Sequence, residues 1–160
     1  MEQVYQQRFQ QAAALLPPSL RGPVERLERS VQVRAEEIRL RAGRPPSLVL
    51  PEGERDIPGC NAPVGQMELN MVLEIATQAS AHAALAQVRG GFFTVRGGHR
   101  IGICGSGVVK DGEVCNLRNL SSLSVRIARE APGAAAPGFG QAVGGGAVKK
   151  HFDSLAARLG

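Results

Sequence analysis

The chain has 160 residues, 43% of them hydrophobic and 21% charged, enough apolar mass for one globular core. No run approaches the ~20 apolar residues of a membrane span, and Met1 to Arg8 has neither the basic start nor the apolar stretch of a secretory signal. Cys60, Cys104 and Cys115 are odd in number and fit no zinc spacing, which points to reduced thiols in a cytosol. The net charge is +5, and all but three of the 19 basic residues are arginine. The excess is local: Arg89 to Arg129 holds seven basic residues and two acids, whereas Glu52 to Glu74 holds five acids and one arginine. A basic half of this kind suits nucleic acid, phosphates, an acidic partner, or solvent.

Tyr5, Phe9, Ala12 and Leu16 recur at helical spacing, so residues 3 to 16 are predicted as an amphipathic helix, ended by Pro17-Pro18. A shorter helix follows, with Pro23 near its first turn and Val24 and Leu27 facing inward. The period then changes. Ile38, Leu40 and Ala42 alternate with Glu37, Arg39 and Arg41 as in a half-buried strand, and Gly43 to Pro46 turns the chain into a second strand at Ser47 to Leu50. Residues 51 to 63 read as a loop with room for a short edge strand. Leu69, Val72, Ala76 and Ala79 mark another amphipathic helix, and His82 to Val88 a further one.

From Gly90 the chain is strand-like. Phe92 to Val95 and Arg100 to Cys104 flank Gly97-Gly98, a hairpin signal, and Val108 to Val114 repeats the device around Asp111-Gly112. Leu123, Val125 and Ile127 alternate with Ser124, Arg126 and Ala128 in a last strand. Helices first and antiparallel strands later predict an α+β fold rather than a βαβ wind. Residues 131 to 150 are dominated by Ala, Gly and Pro and read as a linker, with a new helix or strand starting near Phe152.

The sequence carries no complete catalytic or phosphate-binding motif. A P-loop requires Gly-x-x-x-x-Gly-Lys-Ser/Thr, and none of Lys110, Lys149 and Lys150 follows a glycine. Gly102 to Gly107 lacks the spacing of a dinucleotide fingerprint. Gly102-Ile103-Cys104-Gly105 formally matches a Gly-x-x-Gly nucleic-acid clamp, but Ile and Cys suit a strand better, and the two Val-Arg-Gly-Gly repeats at 88 and 95 suit hairpins better than disordered tracts. The histidines are His82, His99 and His151; His99 sits beside Arg100 in the Gly-Gly turn with no nucleophile or carboxylate close in sequence, so it is expected in a surface or turn position. Ser121, Ser122 and Ser124 lie outside any nucleophile elbow, and Cys104 reads as a small apolar strand residue.

Four motifs in order resemble one family: Leu16-Pro17; Glu36 to Pro45; Gly97 to Gly105, with the run Gly-Gly-His-Arg-Ile-Gly-Ile-Cys-Gly; and Ser121 to Glu130. Together they are similar to the N-terminal region of the stage III sporulation protein AA family, over about residues 15 to 133. The resemblance implies an N-terminal α/β domain, here residues 1 to 130, ahead of a RecA-like, AAA+/secretion-type P-loop ATPase domain in the cytoplasm of the mother cell. It also implies ATP and magnesium as the full-length cofactors, a homo-oligomer as in hexameric secretion motors, and partners among the stage III channel proteins. The sequence stops before the phosphate loop and Walker B carboxylate. Residues 131 to 160 are therefore expected to be linker plus the truncated start of that ATPase domain, with no cofactor and no activity in this chain alone. By analogy with the secretion motors, Arg96, Gly97, Gly98, His99, Arg100, Gly102, Arg126 and Arg129 are the candidates to face a nucleotide or a partner. An RNA- or DNA-binding module using the basic strands at 89 to 129 is the alternative.

Overall fold

The computed structural model describes residues 1–85, 91–105 and 120–129. In chain order these form α1 (Glu2–Ala13), α2 (Pro18–Glu25), α3 (Arg29–Gln32), β1 (Glu37–Arg41), β2 (Ser47–Leu50), β3 (Gly53–Asp56), α4 (Gln66–Thr77), α5 (Ala81–Leu85), β4 (Phe92–Thr94), β5 (Arg100–Gly105) and β6 (Leu120–Arg126). The six strands make one sheet in the order β3-β2-β1-β6-β5-β4, and every pairing of neighbours is antiparallel. The α+β architecture read from the sequence is the one observed.

Helix α1 forms because its apolar residues fall on one stripe, burying Phe9, Ala12 and Ala13. It ends at Ala13 rather than Leu16. The amides of Leu15 and Leu16 bond back three residues, to Ala12 and Ala13, and this tightened turn still delivers Leu16 to the core. Pro18, not Pro23, opens α2. It occupies the first turn, where its missing N–H is no loss, while Pro23 lies inside the helix close to its end. The four-residue α3 was not expected from the sequence. It is pinned by Gln32, whose Nε2 donates to the carbonyls of Glu25 and Leu27 at 3.1 and 2.7 Å.

Period-2 alternation sends Ile38, Leu40, Leu48, Ile101, Leu123 and Val125 to one face of the sheet, where they join Phe9, Leu16, Val24, Leu69, Val72 and Leu73 from the helices in one core. Each such side chain contributes about 1.5–3 kcal/mol on leaving water. Ala42 departs from its alternation and is exposed: β1 stops at Arg41, and Ala42 donates to the Ser121 carbonyl and bridges to Val64. The edge strand β3 is real, and all its residues are exposed. Helix α4 stops at Thr77, because Gln78 adopts φ 56° and leaves Ala79 beyond the end. Of the next helix only Ala81–Leu85 is described, and the hairpin expected at 108 to 114, the linker and the segment from Phe152 lie outside the described residues.

Candidate functional site

The second face of the sheet is the polar one. Cross-strand partners share a face, so the register places Ser47, Arg39, Ser124, Gly102 and Phe92 in one row across the sheet. The adjacent row runs Glu54, Val49, Glu37, Arg126, Arg100 and Thr94, and a third row holds Arg41, Ser122 and Cys104. Small residues (Ser122, Ser124, Gly102, Cys104) thus line β5 and β6 between arginines.

This face has two unlike halves. Over β1, β2 and β3 the charges are matched. Arg39 Nε donates to Glu37 Oε2 at 2.6 Å, and its Nη1 donates to Glu54 Oε1 at 3.0 Å. Arg41 Nη2 and the Ser47 hydroxyl close on the other oxygen of Glu54. Burial alone pushes the Glu54 carboxyl up, but the Ser47 hydroxyl and the Arg41 and Arg39 guanidiniums outweigh it and hold the group below the usual carboxylate range. Glu37, read from the sequence as a solvent-side residue, is in fact only 1% exposed and survives there because Arg39 meets it.

Over β6, β5 and β4 arginine is in excess, with Arg126 standing between Glu37 on β1 and Arg100 on β5. Arg100 and Arg126 are direct cross-strand partners, and like charges in that position repel. Arg100 stacks over the Phe92 ring at 5.6 Å, yet its Nη1 is buried with no hydrogen-bond partner, and so is the Ser124 hydroxyl. Arg126 is half-buried and has no ion pair among the described residues. Arg96 projects from the turn between β4 and β5 and is exposed.

The remaining candidates serve the fold. Gly97 and Gly98 take φ 93° and 87°, as the turn requires, and an added Cβ at Gly97 would lie 2.9 Å from Gln11 Oε1 and 3.0 Å from His99 Nε2. His99 is in the turn as expected but is 1% exposed rather than on the surface. Its Nδ1 accepts the Ala128 amide at 3.1 Å, which leaves Nε2–H to donate to Gln11 Oε1 at 3.1 Å. Burial, aided by the nearby Arg8 charge, pushes the imidazole down to about 4, so it is neutral at pH 7. Arg129 donates to the carbonyls of Val33 and Ala35 at 2.9 and 3.2 Å and lies 4.6 Å over the Tyr5 ring. Both ring nitrogens of His99 and the Arg129 guanidinium are therefore engaged inside the domain. Of the sequence candidates, Arg100, Gly102 and Arg126 come together on the β4–β6 half of the polar face, where Gly102 is buried and both arginines are half-buried, with Arg96 in the adjoining turn.

Sequence reading set Ser124 on the same face as Arg126 but did not count it among the site candidates. It also missed Arg39, Arg41, Ser47 and Glu54, whose association depends on strand order. Among the described residues no cluster of His, Cys, Asp or Glu could hold a metal ion, and no helix is long and apolar enough to cross a membrane.

Comparison with known proteins gives a match to the family model described as sporulation stage III, protein AA, over residues 6–147. The chain belongs to this family. The stage III sporulation protein AA of Bacillus subtilis (strain 168) is 30% identical over 126 residues, covering 78% of this chain and 40% of that protein. The chain thus spans less than half the length of that curated relative, and no solved structure matches it. Membership of the sporulation stage III family assigns the chain a role in sporulation, and the glycine-histidine-arginine run that suggested the resemblance is the β4–β5 turn clasped by α1.

Proposed function

We propose that this domain is the non-catalytic N-terminal interaction module of a secretion-motor-like ATPase that energises a channel between mother cell and forespore. In this reading the module sits in the mother-cell cytoplasm and docks on an ATPase domain, on stage III channel proteins, or on further copies of itself in a ring. The observation that carries it is the excess of arginine on the β4–β6 half of the polar sheet face, where Arg100 and Arg126 are direct cross-strand partners. Arg100 and Arg126 face each other directly there, with Glu37 across from Arg126 on its other side, so that half carries an excess of arginine. The face also lies close to where β6 leads through Arg129 into residues 130–160.

ATP and magnesium fit the described residues poorly as resident ligands. The sequence contains no glycine-rich loop followed by lysine and a hydroxyl residue, so it carries no P-loop to cradle a triphosphate. Nucleotide is accordingly held by the ATPase domain, and this module contributes contacts alone. Binding of RNA or DNA is less well supported, because Arg129 is committed to Val33, Ala35 and Tyr5 and is unavailable for phosphate.

Calorimetry on the full chain tests the proposal, first with ATP and magnesium and then with a separately produced ATPase domain of the family. The expected result is no heat with nucleotide and a saturable complex with the ATPase domain. Tight nucleotide binding by the chain alone, or no complex at any salt concentration, overturns it. A steep loss of affinity for a nucleic-acid oligomer with added salt would instead favour the alternative.

A further inference from the structure

Helix α4 sends Leu69, Val72 and Leu73 into the core, and Gln66 Nε2 donates to the Leu120 carbonyl at 2.5 Å, which ties the start of the helix to β6. On the outer side Met67, Met71 and Ile75 follow one another four residues apart, a second apolar ridge about 12 Å long. Met67 is 73% exposed, and Met71 and Ile75 are half-buried. One apolar face is enough to seat a helix on a sheet, so folding of the domain does not account for the second. Helical geometry sets the half-buried Glu68 on one side of the ridge and the exposed Glu74 on the other. Neither has an ion pair among the described residues. From Ile57 to Leu85 the sequence holds no lysine, arginine or aspartate and no other glutamate. Sparse charge around exposed methionine is the composition of an interface centre rather than of a solvated face.

We infer that the ridge of Met67, Met71 and Ile75 docks an amphipathic helix of a partner protein, one whose apolar stripe is bordered by lysine or arginine. A ridge of residues four apart fits the groove between the matching ridges of a second helix. The basic border follows from Glu68 and Glu74, which bracket the ridge with no cation of this stretch to answer them. The same two charges disfavour a second copy of this chain, because two α4 helices laid ridge to ridge would set glutamate against glutamate. They disfavour an anionic lipid surface for the same reason. Helix α4 packs on the apolar side of the sheet, so the ridge looks away from the arginine-rich polar face. The inference therefore stands whether or not that polar face meets an ATPase domain.

The test is titration of the full chain, its methionine methyls isotope-labelled, with an acetylated and amidated peptide of leucine and lysine patterned as an amphipathic helix of about four turns. The chain has three methionines, so the labelling carries its own control. Saturable shifts are expected at Met67 and Met71 and none at Met1, although Met1 is 79% exposed. Read from the Met71 signal, Met67→Ser is expected to weaken binding about tenfold, and Glu74→Lys about fivefold at low salt. Glu25→Lys, at an exposed acid on α2, is expected to leave it unchanged. No saturable shift, a shift at Met1 equal to that at Met67, or full affinity in Met67→Ser overturns the docking ridge. Equal affinity for the same peptide with glutamate in place of lysine overturns the basic border. Shifts at Met67 and Met71 on raising the protein concentration alone, with a dimer in sedimentation, would give the ridge to a second copy and overturn the partner helix. The same shifts on adding phosphatidylcholine vesicles would give it to a membrane and overturn it equally.

Discussion

Lowering the pH from 7 to 5 is expected to destabilise the domain through His99. The imidazole is buried between α1 and the end of β6, with the Ala128 amide donating to Nδ1 and Gln11 Oε1 accepting from Nε2. A proton on Nδ1 would remove its role as acceptor and place a charge in the core near Arg8. The folded value is pushed from 6.5 down to about 4, so between these limits the unfolded chain binds the proton and the folded chain does not. Stability from this group is therefore fully present above pH 6.5 and declines as pH falls toward 4. Applying linkage to those two values over two pH units gives a loss of about 2 kcal/mol, or about 1–2 kcal/mol after allowance for solvent screening. With a urea dependence of ~2 kcal/mol per molar, the unfolding midpoint should fall by roughly 0.5–1 M between pH 7 and pH 5. The carboxylates held low by arginines, Glu52 and Glu54, lose their contribution at and below the ordinary carboxylate range and so add little in this window. His99→Leu should be less stable at both pH values, because it orphans the Ala128 amide, but its midpoint should be nearly flat from pH 7 to pH 5. A wild-type midpoint that does not move, or a variant that keeps the wild-type slope, would refute the assignment of a neutral, clasped histidine.

Three further outcomes follow from the same geometry. Gly97→Ala should cost about 3 kcal/mol, combining strain at φ 93° with a Cβ pressed against Gln11 and His99, whereas Gly43→Ala, at φ 82° in open space, should cost only about 1 kcal/mol. Paired thermal melts check the difference, and equal losses would show that the Gln11 and His99 contacts yield freely. Arg129→Ala should lose about 2–3 kcal/mol through its carbonyl bonds to Val33 and Ala35 and its stacking on Tyr5. Arg129→Lys should recover only part of this in denaturant titration, since an ammonium lacks the planar fork. Thr94→Glu should stabilise by about 0.5 kcal/mol, a rise of roughly 1–2 °C in Tm, because it puts an opposite charge across from Arg100.

Local structure was largely written in residue order. The apolar stripe of Phe9 and Ala12 determines α1, the alternation around Ile38 and Leu40 determines β1, and Gly97-Gly98 determines the tight turn between β4 and β5. Each rests on interactions among near neighbours, where helical and strand periods leave distinct patterns. The family motifs were legible for the same reason, being contiguous runs. What tertiary structure alone decided is the pairing of β1 with β6, which joins Ile38 to Val125 across most of the domain. Nothing local distinguishes that partner from any other alternating strand, because register is chosen by burial of both apolar faces at once. The same long-range pairing decides which arginines are spent and which are left. Arg129 and Arg126 are three residues apart and look alike in sequence, yet one is folded against Val33, Ala35 and Tyr5 while the other stands between Glu37 and Arg100 on the polar face. Charge is visible in a sequence, but its neutralisation depends on distances between strands that only the folded sheet sets.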